Sequence, residues 1–555
     1  MPPCKVYIDR NRALSILAVS AAAFLVFLPW VQVYFLGDDW MLLARNSGCA
    51  LPSQLRLISD ASNSSQYRPL SELTLAWTWS LFGLNPAGYH VFNSLLHAFN
   101  AVLVAVLGYR LSGDRRVGLL AGLSFAMLGC HTEAVVWITA RHEMLASALA
   151  LLSTLSYIRF RESNRRAWWF SAFVLYVASL GFKETTLALP ILFVFYDVIF
   201  VFPSQYVRSW RLVARHALPL LPPAMLGIAY GLFRFQVGGG YDVPFNVAAL
   251  PKNLVYYLLM ETVALPDSTR FLSRFPLATL PVIASLTFAC ALSVWLARRR
   301  LMRYRALWYS VLWMVFALAP VILIVAERTS YFSSVGWAWA IATIVILAWD
   351  ALSESHFPSR ADSALVYSGV EALAGNRLIT PLCFPSAALR TGAAGASEAR
   401  FRGGVHEIGN RYKRWLVVVP VVIILGANLV TLIHRSYWWS RAADISRDVI
   451  SEVRASLLNL PPGENSQLWF FNFPDQIEYA YAFGDRIPFA VWLLQDQLDV
   501  DVEAAVFRNG EVDVPSVERV RQMLSERAVE GPIVAFYWQG ETLLKLSTME
   551  GSTSH

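Results

Sequence analysis

Charge is what this chain has least of. Of its 555 residues, 15% are Asp, Glu, Lys or Arg, where a soluble domain carries about a quarter. That scarcity excludes an ordinary water-soluble fold for most of the length. Cysteine is also sparse. Cys4, Cys49, Cys130, Cys290 and Cys383 form no CxxC pair and no metal-ligand spacing, so no disulfide framework is implied. No HExxH run occurs.

Apolar residues fill the space that charge leaves. The chain is 56% hydrophobic, with 20 Trp, 22 Tyr and 33 Phe, and its mean hydropathy is +0.46. Apolar runs of about 18 or more residues recur along it, the length a helix needs to cross a bilayer. The fold class is therefore a polytopic α-helical membrane protein. The first run, 13–36, follows Lys5, Arg10 and Arg12. It exceeds the roughly 7–15 apolar residues of a signal peptide and is expected to stay as a first helix. About eleven spans are legible, near 13–36, 90–112, 117–138, 142–159, 167–182, 185–202, 214–235, 277–297, 306–326, 331–350 and 415–433.

The net charge of +7 does not call for nucleic acid. Its surplus Arg lies in short alternate loops, where contact with anionic lipid accounts for it. These loops hold Arg110, Arg115 and Arg116; Arg159, Arg161, Arg165 and Arg166; Arg208, Arg211 and Arg215; and Arg298, Arg299, Arg300, Arg303 and Arg305. Cationic loops stay on the cytoplasmic side, which places the N-terminus inside, as in a bacterial inner membrane or its equivalent. Residues 1–352 then form a membrane module with outer loops 37–89 and 236–276. Leu70–Leu84 and Val247–Leu265 in those loops are apolar but too short to span, and are expected to lie in the interface. Residues 353–413, rich in Ala, Gly, Ser and Pro, show no periodicity and are expected to be disordered on the inner side. A last span follows at 414–434. Residues 440–555 are expected outside as a small α/β domain, with strands at Leu468–Asn472 and Ile533–Trp538 and a helix at Pro515–Ala528.

Six polar stretches mark span ends on the outer side: Gly37-Asp38-Asp39-Trp40, Tyr67-Arg68-Pro69-Leu70, His131-Thr132-Glu133, Arg141-His142-Glu143, Lys183-Glu184-Thr185 and Glu327-Arg328. A charge at the centre of a membrane helix costs roughly 2.5–3.5 kcal/mol on insertion scales. A chain that gathers so many on one face is expected to use them together. Adjacent carboxylates such as Asp38 and Asp39 raise one another's pKa, which suits a general base. Arg141, Lys183, Arg328 and Arg68 suit a phosphate with a lipid tail. Mutual pairing of these cations with Glu133, Glu143, Glu184 and Glu327 is the plain structural alternative. His131 with Glu133 leaves a divalent cation open as a cofactor.

The stretch YRPLSELTLAWTWSLFGLNPAGYHVFNSLLHAFNAVLV, followed by HTEAVVWITARHEMLAS, KETTLALPILFVFYD and AERTSYFSSVG, resembles the GT-C superfamily of polyprenyl-phosphate-sugar glycosyltransferases. Within it, the likeness is to the transmembrane-and-tetratricopeptide O-mannosyltransferases and their bacterial relatives, over about residues 30–440. The resemblance implies a polyprenyl-phosphate-linked sugar donor, an acceptor hydroxyl on protein, glycan or lipid, and an acidic catalytic element at Asp38 and Asp39. It maps the family's other charged elements onto His131 and Glu133, Arg141 and Glu143, Lys183 and Glu184, and Glu327 and Arg328. Two local departures are Leu128-Gly129-Cys130 before His131 and Thr329-Ser330-Tyr331-Phe332-Ser333 after Arg328. No tetratricopeptide pattern is read in 440–555. The expected activity is sugar transfer at the outer surface with inversion. The alternatives are a transporter or flippase of a lipid-linked glycan, and a non-catalytic glycolipid-binding scaffold.

Overall fold

The computed structural model describes residues 10–47, 68–202, 217–236, 248–263, 304–353, 396–460, 466–474, 476–477, 480–483, 486–498, 502–507, 515–527, 532–539 and 542–547. The chain divides into two units. One comprises Met1–Arg274, Arg305–Ala342 and Ile424–His555, the other Phe275–Tyr304 and Thr343–Ile423. The described part of the second unit is helical throughout, apart from Tyr304, and the first unit carries all six polar stretches that mark the outer span ends.

The first unit opens with α1 (Arg10–Leu25) and α2 (Asp38–Asn46), then α3 (Pro69–Phe82) and the long α4 (Pro86–Ser112). Next come α5 (Arg115–Ala126), the short α6 (Thr132–Val136), α7 (Arg141–Ser163), α8 (Arg166–Leu180) and α9 (Leu189–Tyr196). After them come α10 (Leu221–Gln236), α11 (Ala249–Val263), α12 (Arg305–Leu318), α13 (Ser334–Ser353) and α14 (Ala396–Leu458); the last two run on into the second unit. Local chemistry sets several of these ends. Asn85 caps α4 by accepting from Ala87 N, and Asp114 caps α5 by accepting from Arg116 N, each satisfying a peptide donor left over at a helix start. Gly118 and Gly122 let α5 lie directly on α4: a Cβ at either would meet Ala105 or Ala101 atoms at 2.6–3.1 Å. This is the small-residue packing by which membrane helices associate.

Among the described residues, five helical segments are long and apolar enough to cross a membrane: Ala13–Trp30, Pro86–Ser112, Glu184–Val201, Ser334–Leu352 and Val417–Leu458. Leu14, Leu17, Leu95, Phe99, Phe170, Val422 and Val430 stand exposed on these helices and on α8, the surface that lipid would cover. The eleven spans read from sequence are not all reproduced. The segment 277–297 lies outside the described residues. α7 is long enough but charged at both ends, and α8 has 15 residues, only about 22 Å of helix. The expected straight span 117–138 is broken. α5 and Gly129–Val136 meet at 54°, with a tight turn at Gly129–His131 between α5 and α6. Residues 354–395 of the expected disordered segment also lie outside the described residues, and 396–413 are helical, as the start of α14.

A broken membrane helix exposes peptide groups that need partners inside the protein, and α14 supplies them. Asn428 Oδ1 accepts from Gly129 N at 3.2 Å, and Arg435 donates to Gly129 O at 3.2 Å. The two residues are seven apart, so they share one face of α14.

Beyond α14 lie β1 (Ser466–Phe471), the small antiparallel pair β2 (Gln476–Ile477) and β3 (Ala480–Tyr481), α15 (Ile487–Leu498), β4 (Val502–Phe507), α16 (Val517–Arg527), β5 (Ile533–Gln539) and β6 (Thr542–Ser547). The main sheet runs β4-β1-β5-β6, parallel except for the final hairpin. Alternation along the strands splits the core in two. Trp469, Phe471, Ala535 and Tyr537 face α16 through Val520 and Leu524. Leu468, Phe470, Phe536 and Trp538 face the other way, into one continuous core with α15, the end of α14, Phe35, Trp40, Tyr89 and Ile138. The sheet is thus packed on the α2 region and not tethered beside it.

Candidate active site

Asp38 and Asp39 begin α2, where the free peptide N–H groups of a helix start favour negative charge. Their side chains then part. Asp38 is 39% exposed and accepts from Arg486 Nε at 2.7 Å. Asp39 is 1% exposed. Its Oδ2 turns back to accept from Leu36 N at 3.1 Å, and its Oδ1 accepts from Thr139 N at 3.0 Å. Burial pushes the Asp39 carboxyl up to about 7, with the charge of Asp38 acting in the same direction and the peptide donors opposing both. The two acids therefore have different work: Asp39 joins the loop to the Ile138–Ala140 turn, and Asp38 faces outward.

From that turn a polar line runs inward. Thr139 O accepts from His142 Nδ1 at 2.6 Å. A carbonyl can only accept, so Nδ1 carries the hydrogen and Nε2 accepts from Lys183 Nζ at 3.3 Å. Lys183 is wholly buried and lies 3.0 Å from Glu143 and 3.8 Å from Glu184. Thr185 Oγ1 donates to Glu143 at 3.3 Å. Glu184 takes a two-pronged contact from Arg68, at 2.8 and 3.4 Å. Arg68 is delivered there because Leu70 N donates to Gly181 O at 3.1 Å, which pins the start of α3 to the loop before Lys183.

Arg328 comes from the turn Glu327–Ser330. Glu133 accepts from the Arg328 peptide N at 2.9 Å and also takes its guanidinium. The guanidinium lies over the rings of Trp137 and Tyr481, 5.1 and 5.9 Å from their centroids, and donates to the Tyr481 hydroxyl at 3.3 Å. Glu327 pairs with Arg435 at 2.8 Å. Lys183, Arg68 and Arg328 are all close enough to act electrostatically on His142, as Glu133, Arg328 and Asp38 are on Tyr481.

The structure thus brings Asp38, Asp39, Arg68, Glu133, Glu143, Lys183, Glu184 and Arg328 into one connected set, with Glu327 one step behind. Two expected members stand apart. Arg141 is fully buried under α3 and α4. It donates to Ile138 O and Thr78 Oγ1 at 3.2 and 3.0 Å and packs on Tyr89 and Phe92. Electrostatically it acts on Asp39 and Tyr89. His131 accepts or donates at Ser334 Oγ (2.8 Å) inside a cage of Phe125, Tyr331 and His97, away from the Glu133 carboxylate on Arg328. Among the described residues, no group of three or more His, Cys, Asp or Glu is placed to hold a metal ion. Sequence reasoning did not assign roles to His142, Asn428, Arg435, Tyr481 or Arg486. His142 lay inside a stretch already singled out, and Asn428 and Arg435 are lone polar residues in the last apolar helix. Tyr481 and Arg486 carry no local signal.

A helical integral membrane protein with a paired-charge network beside an acidic helix start is the class this fold and site define. Particular relatives share part of its sequence. No protein-family model matches the chain. It is 35% identical over 186 residues to the human protein O-mannosyl-transferase TMTC2, covering 33% of this chain and 20% of that protein. It is 34% identical over 175 residues to human TMTC4, covering 27% and 24%, and 29% identical over 190 residues to Tmtc1 of Drosophila melanogaster, covering 32% and 22%. The chain therefore aligns with about a fifth of the length of the curated relatives it matches. Among solved structures, ArnT from Cupriavidus metallidurans in the apo state aligns over 95% of this chain and 93% of its own, with a TM-score of 0.46 and 15% identity. ArnT bound to undecaprenyl phosphate aligns with a TM-score of 0.45 at 14% identity, over 94% and 92%.

Proposed function

We propose that this protein is a membrane glycosyltransferase. It moves a sugar from a polyprenyl-phosphate carrier to an acceptor hydroxyl on the extracytoplasmic side. The observation that carries the reading is the contact line from Asp39, next to the outward-facing Asp38, through Thr139 and His142 to Lys183, Glu143, Glu184 and Arg68. Its partial likeness to protein O-mannosyl-transferases supplies the class of reaction, and mannose as the first sugar to try. The cationic alternate loops support a cytoplasmic N-terminus, which puts this network and the C-terminal α/β sheet outside.

In this mechanism Asp38, the exposed carboxylate, takes the proton of the acceptor hydroxyl. The acceptor oxygen bonds to the anomeric carbon as the bond from that carbon to the phosphate oxygen breaks. The electron pair leaves on polyprenyl phosphate. That leaving group needs charge stabilisation more than a proton, and donors already fixed in place supply it without reorganisation. Lys183, Arg328 and Arg68 are assigned to it. Each is already held in place by a carboxylate, and the phosphate is assigned to the same N–H groups. Arg141 is assigned to Asp39 and not to phosphate, because its guanidinium acts electrostatically on Asp39 while it donates to Thr78 Oγ1 and packs on Tyr89 and Phe92. One displacement inverts the anomeric centre.

The test uses purified protein in nanodiscs with mannosyl-phosphoryl-polyprenol and candidate acceptors. Release of polyprenyl phosphate together with an inverted glycoside, read by NMR, is the expected result. Movement of the intact lipid across a vesicle bilayer without its consumption overturns the reading in favour of a transporter.

A further inference from the structure

Two residues of the C-terminal part close the network where it meets the sheet. Tyr481 in β3 stacks on Trp137, with ring centroids 4.6 Å apart, and its hydroxyl accepts from Arg328. Five residues on, Arg486 holds Asp38. The approach between these segments is close. Gly37 has φ +51°, and a Cβ there would lie 3.3 Å from both Ala482 O and the Tyr481 Cβ, so the backbone that presents Asp38 lies directly against β3. Phe483, Ile487, Ala490 and Val491 share a core with Phe35 and Trp40 on either side of the acidic pair. Residues 480–483 and 486–491 are therefore seated on the site through both their polar and their apolar side chains.

We infer that Tyr481 and Arg486 are positioning residues of the transfer site and divide its two halves between them. Tyr481 fixes the Arg328 guanidinium, against the Trp137 ring, for the donor's phosphate. Arg486 fixes Asp38 for the acceptor's proton: it engages Oδ1 and leaves Oδ2 to meet the hydroxyl. The Asp38–Arg486 pair is partly exposed on both sides, 39% and 31%, so an acceptor can reach it. This division rests on the sugar-transfer reading of the site. It makes the C-terminal sheet part of the catalytic assembly.

The experiment separates binding from turnover in full-length protein. Undecaprenyl phosphate serves as the binding probe, and transfer from mannosyl-phosphoryl-polyprenol gives kcat and KM. Tyr481→Leu is expected to weaken binding of the probe about tenfold and Tyr481→Phe about threefold, the scale of a hydrogen bond to a charged group and less. Arg486→Gln is expected to leave that binding within about twofold but to lower kcat about tenfold, with Arg486→Lys restoring most of it. The double variant Asp38→Asn/Arg486→Gln is expected to be no worse than Asp38→Asn alone, as residues acting through one another require. Equal binding by wild type and Tyr481→Leu overturns the Tyr481 half. An Arg486→Gln effect on binding, or one that adds in full to Asp38→Asn, overturns the other. A wild-type protein that binds the probe but never transfers sugar overturns the transfer reading and the Arg486 half with it, while the Tyr481 half is still decided by binding alone.

Discussion

At the scale of single residues, the acidic pair shows how two identical neighbours acquire different roles. Asp39 is buried with its carboxyl raised to about 7, whereas an Asp in an unfolded chain titrates near 4. Between those values the folded state holds more protons than the unfolded one. Stability from this group is therefore full below about pH 4, falls as pH rises towards 7 and levels off above. Asp39→Asn should flatten that part of the melting temperature against pH in detergent; an unchanged slope contradicts the assignment. The buried Lys183–Glu143 pair gives a second prediction. Removing one partner leaves a bare charge in the interior and costs about 3–5 kcal/mol, whereas removing both costs far less. Lys183→Met should therefore melt well below wild type, and Lys183→Met/Glu143→Gln should recover much of the loss. The pair of acids and the basic residues were legible in the sequence because charge is rare in this chain. Their division of labour was not, because burial depends on neighbours from distant segments: Thr139 for Asp39 and Arg486 for Asp38.

Among elements, the instructive one is the helix that breaks. The run 117–138 reads as one span because its hydropathy averages over the break, and hydropathy does not report direction. In the structure it bends at Gly129, and that bend leads into the short α6, which carries Glu133 towards Arg328. The bend is affordable only because α14 presents Asn428 and Arg435 to the freed peptide groups. Asn428→Leu removes the acceptor for Gly129 N and the donor to Thr262 O. A buried donor left without its partner costs about 1–3 kcal/mol, so the variant should melt lower in detergent while keeping its helical circular dichroism. Wild-type stability would show that the bend does not depend on α14. A lone Asn and Arg in an apolar helix were visible in the sequence; that both meet one glycine, 299 and 306 residues earlier, could be seen only in the fold.

On the scale of the whole molecule, the class came from composition and the candidate site from convergence. Low charge and long apolar runs sufficed for a polytopic helical protein, and two short continuous apolar runs, 468–472 and 533–538, were legible as buried strands. The span count was less legible, because helices such as α7 combine membrane length with the charge of the site and so resist a hydropathy criterion. The seating of the sheet on α2 was not legible either, since Phe35, Trp40 and Phe470 look like ordinary apolar residues until they are packed together. In the proposed function, segments scattered through this chain form one transfer site with Asp38 as its base. The most direct measurement is the rate of sugar transfer by Asp38→Asn beside wild type, with melting temperature as the control for folding. The expected result is a fall of about a thousandfold, the middle of the range for a lost general base, at unchanged melting. Transfer at the wild-type rate by the folded variant would contradict it.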